Sequence, residues 1–194
     1  MEPFQFYIDL QKAMNNENEL VGIASALSLD RDGEKMSERA LKMMVNDIKS
    51  IGVNLFGNHE HNWENTLGFV KDAELVDGHV NVAIKLDNPA TNQKVPMLLN
   101  KLKTGIRLGL SVGGSVTNEK WETDKIANKR VRVIDGVKLY EISVVGIPSN
   151  ADAYISIPSA ISKSAKGLNI IKSCPICYHS LLENECKLCL WKKE

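Results

Sequence analysis

The first 173 residues of this 194-residue chain contain no cysteine. A disulfide-stapled secreted domain spreads its cysteines through the fold. A chain of this length can bury roughly 70% of its unfolded surface and needs no such staples. Neither sign of charge is in excess: Lys+Arg and Asp+Glu both number 24. That argues against a general nucleic-acid binder, whose affinity rests on surplus basic charge, although a local basic patch stays open. No apolar run approaches the length of about 18 residues that a membrane span needs. The N-terminal Met1-Glu2-Pro3-Phe4 has neither the basic nor the apolar region of a secretory signal, so a cytosolic setting is expected. Internal repeats of useful length are also missing. What remains, at 43% hydrophobic and 25% charged residues, is the composition of an ordinary globular domain with a small appendage.

Residues 1–20 end in a polar stretch and read as an arm or a short helix. Residues 20–29 have β character, and Asp30-Arg31-Asp32-Gly33 reads as a turn. Ser37 is the expected N-cap of a helix over 38–50, because Leu41, Met44, Val45 and Ile48 recur at helical spacing and Gly52 follows. Residues 53–56 form a short strand. Asp77-Gly78 between the alternating stretches 67–76 and 79–86 predicts a hairpin. Pro96, followed by Leu98, Leu99 and Leu102, predicts a second helix over 95–104. A strand is expected over 106–116. A second Asp-Gly pair, Asp135-Gly136, predicts a hairpin between 129–134 and 137–147. The resulting fold class is α+β: a mainly antiparallel β-barrel, closed or nearly so, with helices outside it.

Three segments could carry chemistry. In Leu108-Gly109-Leu110-Ser111-Val112-Gly113-Gly114-Ser115-Val116, the leucines and Val112 share one face of a strand. The other face is nearly bare. It is either a tight barrel bend or a surface on which another backbone can approach Ser111. No strand-turn-helix context follows, so this is not a nucleophile elbow. In Asn58-His59-Glu60-His61, a histidine can act as general base for a hydroxyl. The same group can instead be a solvated turn, or can bind a metal, for which no third protein ligand is evident. In Leu139-Tyr140-Glu141-Ile142-Ser143-Val144-Val145, alternation puts Leu139, Glu141, Ser143 and Val145 on one face and Tyr140, Ile142 and Val144 on the other. Glu141 is costly in so apolar a strand unless it has a partner, such as an imidazole N–H, or lies at an edge facing water.

Together these segments resemble the prohead proteases of tailed bacteriophages, capsid maturation serine proteases related to the herpesvirus assemblins. The resemblance rests on four motifs in order over residues 20–153. They are Gly22-Ile23-Ala24-Ser25 with the Asp-rich turn, Asn58-His59-Glu60 followed by Leu67-Gly68, Leu110-Ser111-Val112-Gly113, and Glu141-Ile142-Ser143-Val144-Val145 running to Pro148-Ser149-Asn150. The resemblance implies a β-barrel with surrounding helices and peptide-bond hydrolysis. It implies Ser111 as nucleophile, His59 as general base and Glu141 as the group that orients it. His61 is a second candidate base, or a third triad member as in the assemblins. Gly113-Gly114-Ser115 is smaller than the family usually carries there. By family position, oxyanion donors are expected in the loop around residues 148–150. The substrates implied are the phage's own scaffold and capsid proteins, with self-cleavage and dimerisation or higher homo-oligomers also typical. The setting implied is the assembling prohead in the host cytoplasm.

From residue 155 the composition turns to Ser, Lys, Pro and Gly, as in a linker. Cys174-Pro175-Ile176-Cys177 and Cys186-Lys187-Leu188-Cys189 then form two Cys-x2-Cys pairs separated by eight residues. Two such knuckles suit tetrahedral Zn²⁺, with an Fe–S site or disulfides as the alternatives. So short an element would draw most of its folding energy from the metal. The expected organisation is a barrel over 1–154, a linker over 155–172 and a structural zinc ribbon over 173–194 that docks a partner. Two further readings stand beside the protease: a barrel without catalysis that serves capsid assembly, and a nucleic-acid binder acting through the tail.

Overall fold

The computed structural model describes residues 18–124 and 129–157. The N-terminal arm, most of the linker and all four cysteines lie outside the described residues. In chain order the elements are β1 (Glu19–Ala26), β2 (Glu34–Met36), α1 (Glu38–Ile51), β3 (Val53–Gly57), a 3-10 turn (Trp63–Asn65), β4 (Thr66–Val76), β5 (His79–Leu86), α2 (Lys94–Lys103), β6 (Gly109–Asp124), β7 (Lys129–Val145) and β8 (Ile155–Ser156). All eight strands belong to one sheet. The fold is therefore mixed α+β with a strongly curled, half-barrel sheet. Among the described residues no helix is long and apolar enough to cross a membrane.

Strand β7 organises the sheet. Its one edge pairs in parallel with β2 at residues 132–134 and with β3 at 141–144, while β6 runs antiparallel along the other edge. The remaining ladders are antiparallel. Helix α1 crosses between β2 and β3. Its Asp47 fills the gap they leave, accepting from the main-chain N–H of Leu139 at 2.9 Å and from Lys138 Nζ at 2.8 Å. Ala40, Leu41, Met44 and Ile48 bury the inner face of α1. As expected, Ser37 caps this helix, accepting from the N–H of Ala40 at 3.1 Å, and Gly52 ends it at φ 72°. At the far end of the sheet, β8 pairs with β1. Leu110 N–H donates to Ala153 O, and Ile155 N–H donates to Leu108 O, both at 3.2 Å, so residues 153–156 sit between β1 and β6. Ile155 is buried in the core, and the sheet thus extends two residues past the expected start of the linker.

Asp77-Gly78 makes the expected two-residue hairpin, with φ of 49° and 77°. Asp135-Gly136 does not. Strand β7 runs straight through it, paired to a β6 that extends to Asp124 rather than stopping at 116. Asp135 is occupied at the start of α1, where the Ser37 hydroxyl and then the Arg39 guanidinium hold its carboxyl below the usual range. Gly136 is needed for a close approach, since a Cβ there would lie 2.6 Å from Thr117 Oγ1.

A second difference bears on the site. The register passes from Gly113↔Glu141 to Gly114↔Leu139, leaving Tyr140 unpaired in a β-bulge. One inserted residue shifts the inward–outward phase. Leu139 is consequently in the core with Ile142 and Val144, not beside Glu141, and Tyr140 is 61% exposed.

Candidate active site

The core face of this part of the sheet carries Leu55, Leu110, Ile142 and Val144. On the opposite face the register sets Ser111 directly across from Ser143, and Gly113 across from Glu141. Directly opposed residues of an antiparallel pair point the same way. Ser111, Ser143 and Glu141 therefore share one face, with β6 and β7 only about 4.8 Å apart.

His59 reaches that face from the far side of β7. It follows β3, whose Asn54 and Phe56 pair with Glu141 and Ser143. Immediately after the strand, Asn58 and His59 adopt left-handed conformations, φ 53° and 58°. Two consecutive non-glycine residues there are uncommon and carry strain, which surrounding contacts must hold. Two contacts do so: Asn58 N–H donates to Val144 O at 3.0 Å, and His59 N–H donates to Ser143 Oγ at 3.1 Å. The turn brings the His59 ring over β7, with Nδ1 at 2.6 Å from Glu141 Oε1.

Glu141 is only 3% exposed, which a lone carboxylate would not tolerate. Both of its oxygens have partners. Oε1 takes His59 Nδ1, and His61 Nε2 stands at 3.4 Å from the same oxygen. Oε2 accepts from the Ser143 hydroxyl at 2.6 Å. Ser143, itself fully buried, thus ties the main chain of His59 to the carboxylate that holds its ring. Sequence reasoning missed that tie. The signal was its position two residues beyond Glu141, on the same face. The His61 ring packs edge-on against Phe56 at 5.6 Å between centroids. The imidazoles of His59 and His61 are 40% and 57% exposed.

Ser111 and His59 line one cleft of about 280 Å³. The Ser111 hydroxyl has no hydrogen-bond partner among the described residues. With Glu141 engaging Nδ1 of His59, Nε2 is the ring nitrogen left for a neighbour. The Asp-rich turn, through Asp30 and Asp32, forms another wall of the cleft with Ser149 and Asn150. Asp30 Oδ1 accepts from the N–H of Asp32 at 3.0 Å and of Glu34 at 2.7 Å, which shapes the turn. Arg31 then binds the carbonyls of Pro148 and Ser149, and Ser149 Oγ bonds Asp32. Gly109 lets this loop close in, because a Cβ there would meet Pro148 Cγ at 2.4 Å. The turn and the loop, far apart in sequence, are one unit.

Comparison with known proteins gives the following. Residues 14–167 match the family described as caudovirus prohead serine protease. A capsid polyprotein of Pseudomonas phage PAJU2 is 25% identical over 170 residues, covering 85% of this chain and 24% of that protein. A prohead protease of Escherichia phage T5 is 24% identical over 146 residues, covering 73% of this chain and 63% of that protein. The chain spans less than two thirds of the length of either relative. Among solved structures, KSHV protease in complex with a hexapeptide phosphonate inhibitor aligns with 78% of this chain and 77% of that one. The identity there is 10% and the TM-score 0.42.

Proposed function

The chain belongs to the caudovirus prohead serine protease family, and on that premise we propose that it is an endopeptidase with Ser111 as nucleophile, His59 as general base and Glu141 as the residue that orients it. The observation that carries this reading is the 2.6 Å contact between a buried carboxylate and Nδ1 of His59, which lines one cleft with Ser111. A serine hydroxyl is a weak nucleophile at neutral pH and needs an adjacent base. Glu141 accepts the Nδ1 proton, which fixes the tautomer whose Nε2 can take the proton of Ser111 as its Oγ attacks the scissile carbonyl. The imidazolium so formed faces a buried negative charge and then protonates the leaving amine. Water, deprotonated by the same nitrogen, releases the acyl group. Ser149 and Asn150 line the same cleft, and the loop of residues 148–150 is the proposed source of main-chain donors for the oxyanion. His61 lies farther from Glu141 than His59 does and takes no part in this proton path.

The proposed substrates are the phage scaffold and capsid proteins, and the chain itself, within the assembling prohead in the host cytoplasm. The proposed assembly is a homodimer or larger. Cys174, Cys177, Cys186 and Cys189 are proposed to bind one structural Zn²⁺ in a tail that docks a partner, after a linker that ends near residue 172.

The test is the intact mass of the purified chain, alone and co-expressed with capsid and scaffold proteins, beside Ser111→Ala and with metal content read on the same samples. Fragments from the wild type alone support the protease. Equal fragments from Ser111→Ala overturn the assigned nucleophile. Intact proteins in every sample favour an assembly factor without catalysis. One zinc per chain supports the role of the four cysteines.

A further inference from the structure

His59, His61 and Glu141 converge more tightly than the proton path requires. One donor atom from each lies within 4.8 Å of the others. The Asn58-His59-Glu60-His61 segment supplies two imidazoles but no third ligand, and the tertiary fold brings one in from β7, 80 residues further along the chain. We propose that these three side chains form a Zn²⁺ site, and that zinc there switches the protease off; the switching rests on the catalytic reading above, whereas the binding does not.

The chemistry of the donors fits. Two imidazoles and one carboxylate, with a fourth position open to water, are a common set for zinc. With zinc–ligand bonds of about 2.0–2.2 Å, a tetrahedral site has donor atoms about 3.3–3.5 Å apart. His61 Nε2 and Glu141 Oε1 already stand at 3.4 Å. His59 Nδ1, at 2.6 Å from that oxygen, would draw back by about 0.7 Å as the metal replaces the hydrogen bond. Both imidazoles are partly exposed, so an ion can enter from solvent. The Ser143 hydroxyl holds Glu141 Oε2 and leaves Oε1 to face the ion, which is how outer partners orient a metal ligand.

The consequence follows from the imidazole. Zinc on Nδ1 displaces the one N–H proton of the neutral ring, which passes through solvent to Nε2. The ring stays neutral, bound to zinc through Nδ1 and now protonated on Nε2. That nitrogen can no longer accept the proton of Ser111. Glu141 is also taken from its orienting task. A bound ion thus inverts the tautomer on which the attack depends, with no change of fold.

The experiment uses the full chain, already loaded with the metal its cysteines take up, and titrates Zn²⁺ at fixed pH. The imidazole nitrogens are followed by long-range ¹H–¹⁵N correlation, and cleavage is assayed in parallel. His61→Ala is the variant, since its exposed ring can be removed without opening the core. In the wild type, His59 Nδ1 and His61 Nε2 should shift with zinc, cleavage should stop, and a chelator should restore both. His61→Ala should cleave in the absence of added zinc and need about tenfold more zinc, or greater, for inhibition. Ring signals that do not move with zinc overturn the site, whether or not the protein cleaves. Equal inhibition of wild type and His61→Ala also overturns it. A chain whose rings shift with zinc but which never cleaves keeps the metal site and loses the catalytic reading.

Discussion

The carboxylate of Glu141 occupies the space that a side chain at position 113 would fill. A Cβ built on Gly113 would lie 2.2 Å from Glu141 Oε1 and 2.9 Å from its Cδ. The glycine opposite Glu141 in the β6–β7 ladder is therefore what lets the acid lie flat beneath His59. This gives a physical reason for the small residues that follow Ser111.

Gly113→Ala should displace Glu141 without unfolding the sheet, because the backbone there is ordinary for a strand. A misplacement of about 1 Å costs on the order of 10²-fold in rate. Cleavage should fall by about that factor and far-UV circular dichroism should stay close to wild type, while the melting temperature drops as the buried carboxylate is pushed off its partners. Unchanged cleavage by Gly113→Ala would separate the Glu141 position from activity.

Glu141→Gln keeps the shape of the site but lets the amide stabilise the wrong tautomer of His59. Loss of this orienting charge costs a serine protease on the order of 10⁴-fold in kcat. Steady-state kinetics should show that loss with KM little changed. A drop of less than tenfold would remove Glu141 from the proton path.

Ser143→Ala takes the partner from a buried carboxylate oxygen, Oε2 of Glu141, and from the part-buried N–H of His59. An orphaned buried polar group costs about 1–3 kcal/mol. Denaturant titration should show a loss in that range, and kcat should fall because the left-handed turn at Asn58 and His59 is released. Ser143→Ala with unaltered kcat would make the residue structural only.

Leu110→Ala tests the other face of the same strand. Leu110 is fully buried, and truncating such a leucine costs about 2–5 kcal/mol. Its neighbour Ser111→Ala should melt like wild type. A Ser111→Ala variant as unstable as Leu110→Ala would place that hydroxyl in the packing rather than in the cleft.

Much of the local structure was legible because the forces behind it are local. Helix α1 announced itself by the spacing of Leu41, Met44 and Ile48 and by Ser37 ahead of them, and the structure caps it with that serine. Asp77-Gly78 specified its turn because both residues accept positive φ. Asp135-Gly136 carries the same two letters and makes no turn. There the aspartate is engaged at the start of α1, a contact that depends on residues nearly a hundred positions away. The alternation of β7 misled for a related reason. A single unpaired residue, Tyr140, moves Leu139 into the core, and a bulge leaves no mark in a hydrophobic pattern.

By itself, the sequence determined which residues are chemically competent: a serine on a bare strand face, two histidines after a strand, and a glutamate with no reason to be in an apolar strand. It also set the strand phase that points Ser111 away from Leu110, because side chains alternate with a period of two. Only the tertiary structure decided how these groups meet. Parallel pairing of β3 with one edge of β7, and antiparallel pairing of β6 with the other, bring His59 and Ser111 to the same face of Glu141. Which strands become neighbours is settled by burial of the whole core, and no short stretch of sequence contains that information. The same pairing makes one oxygen of Glu141 a common partner of two histidines.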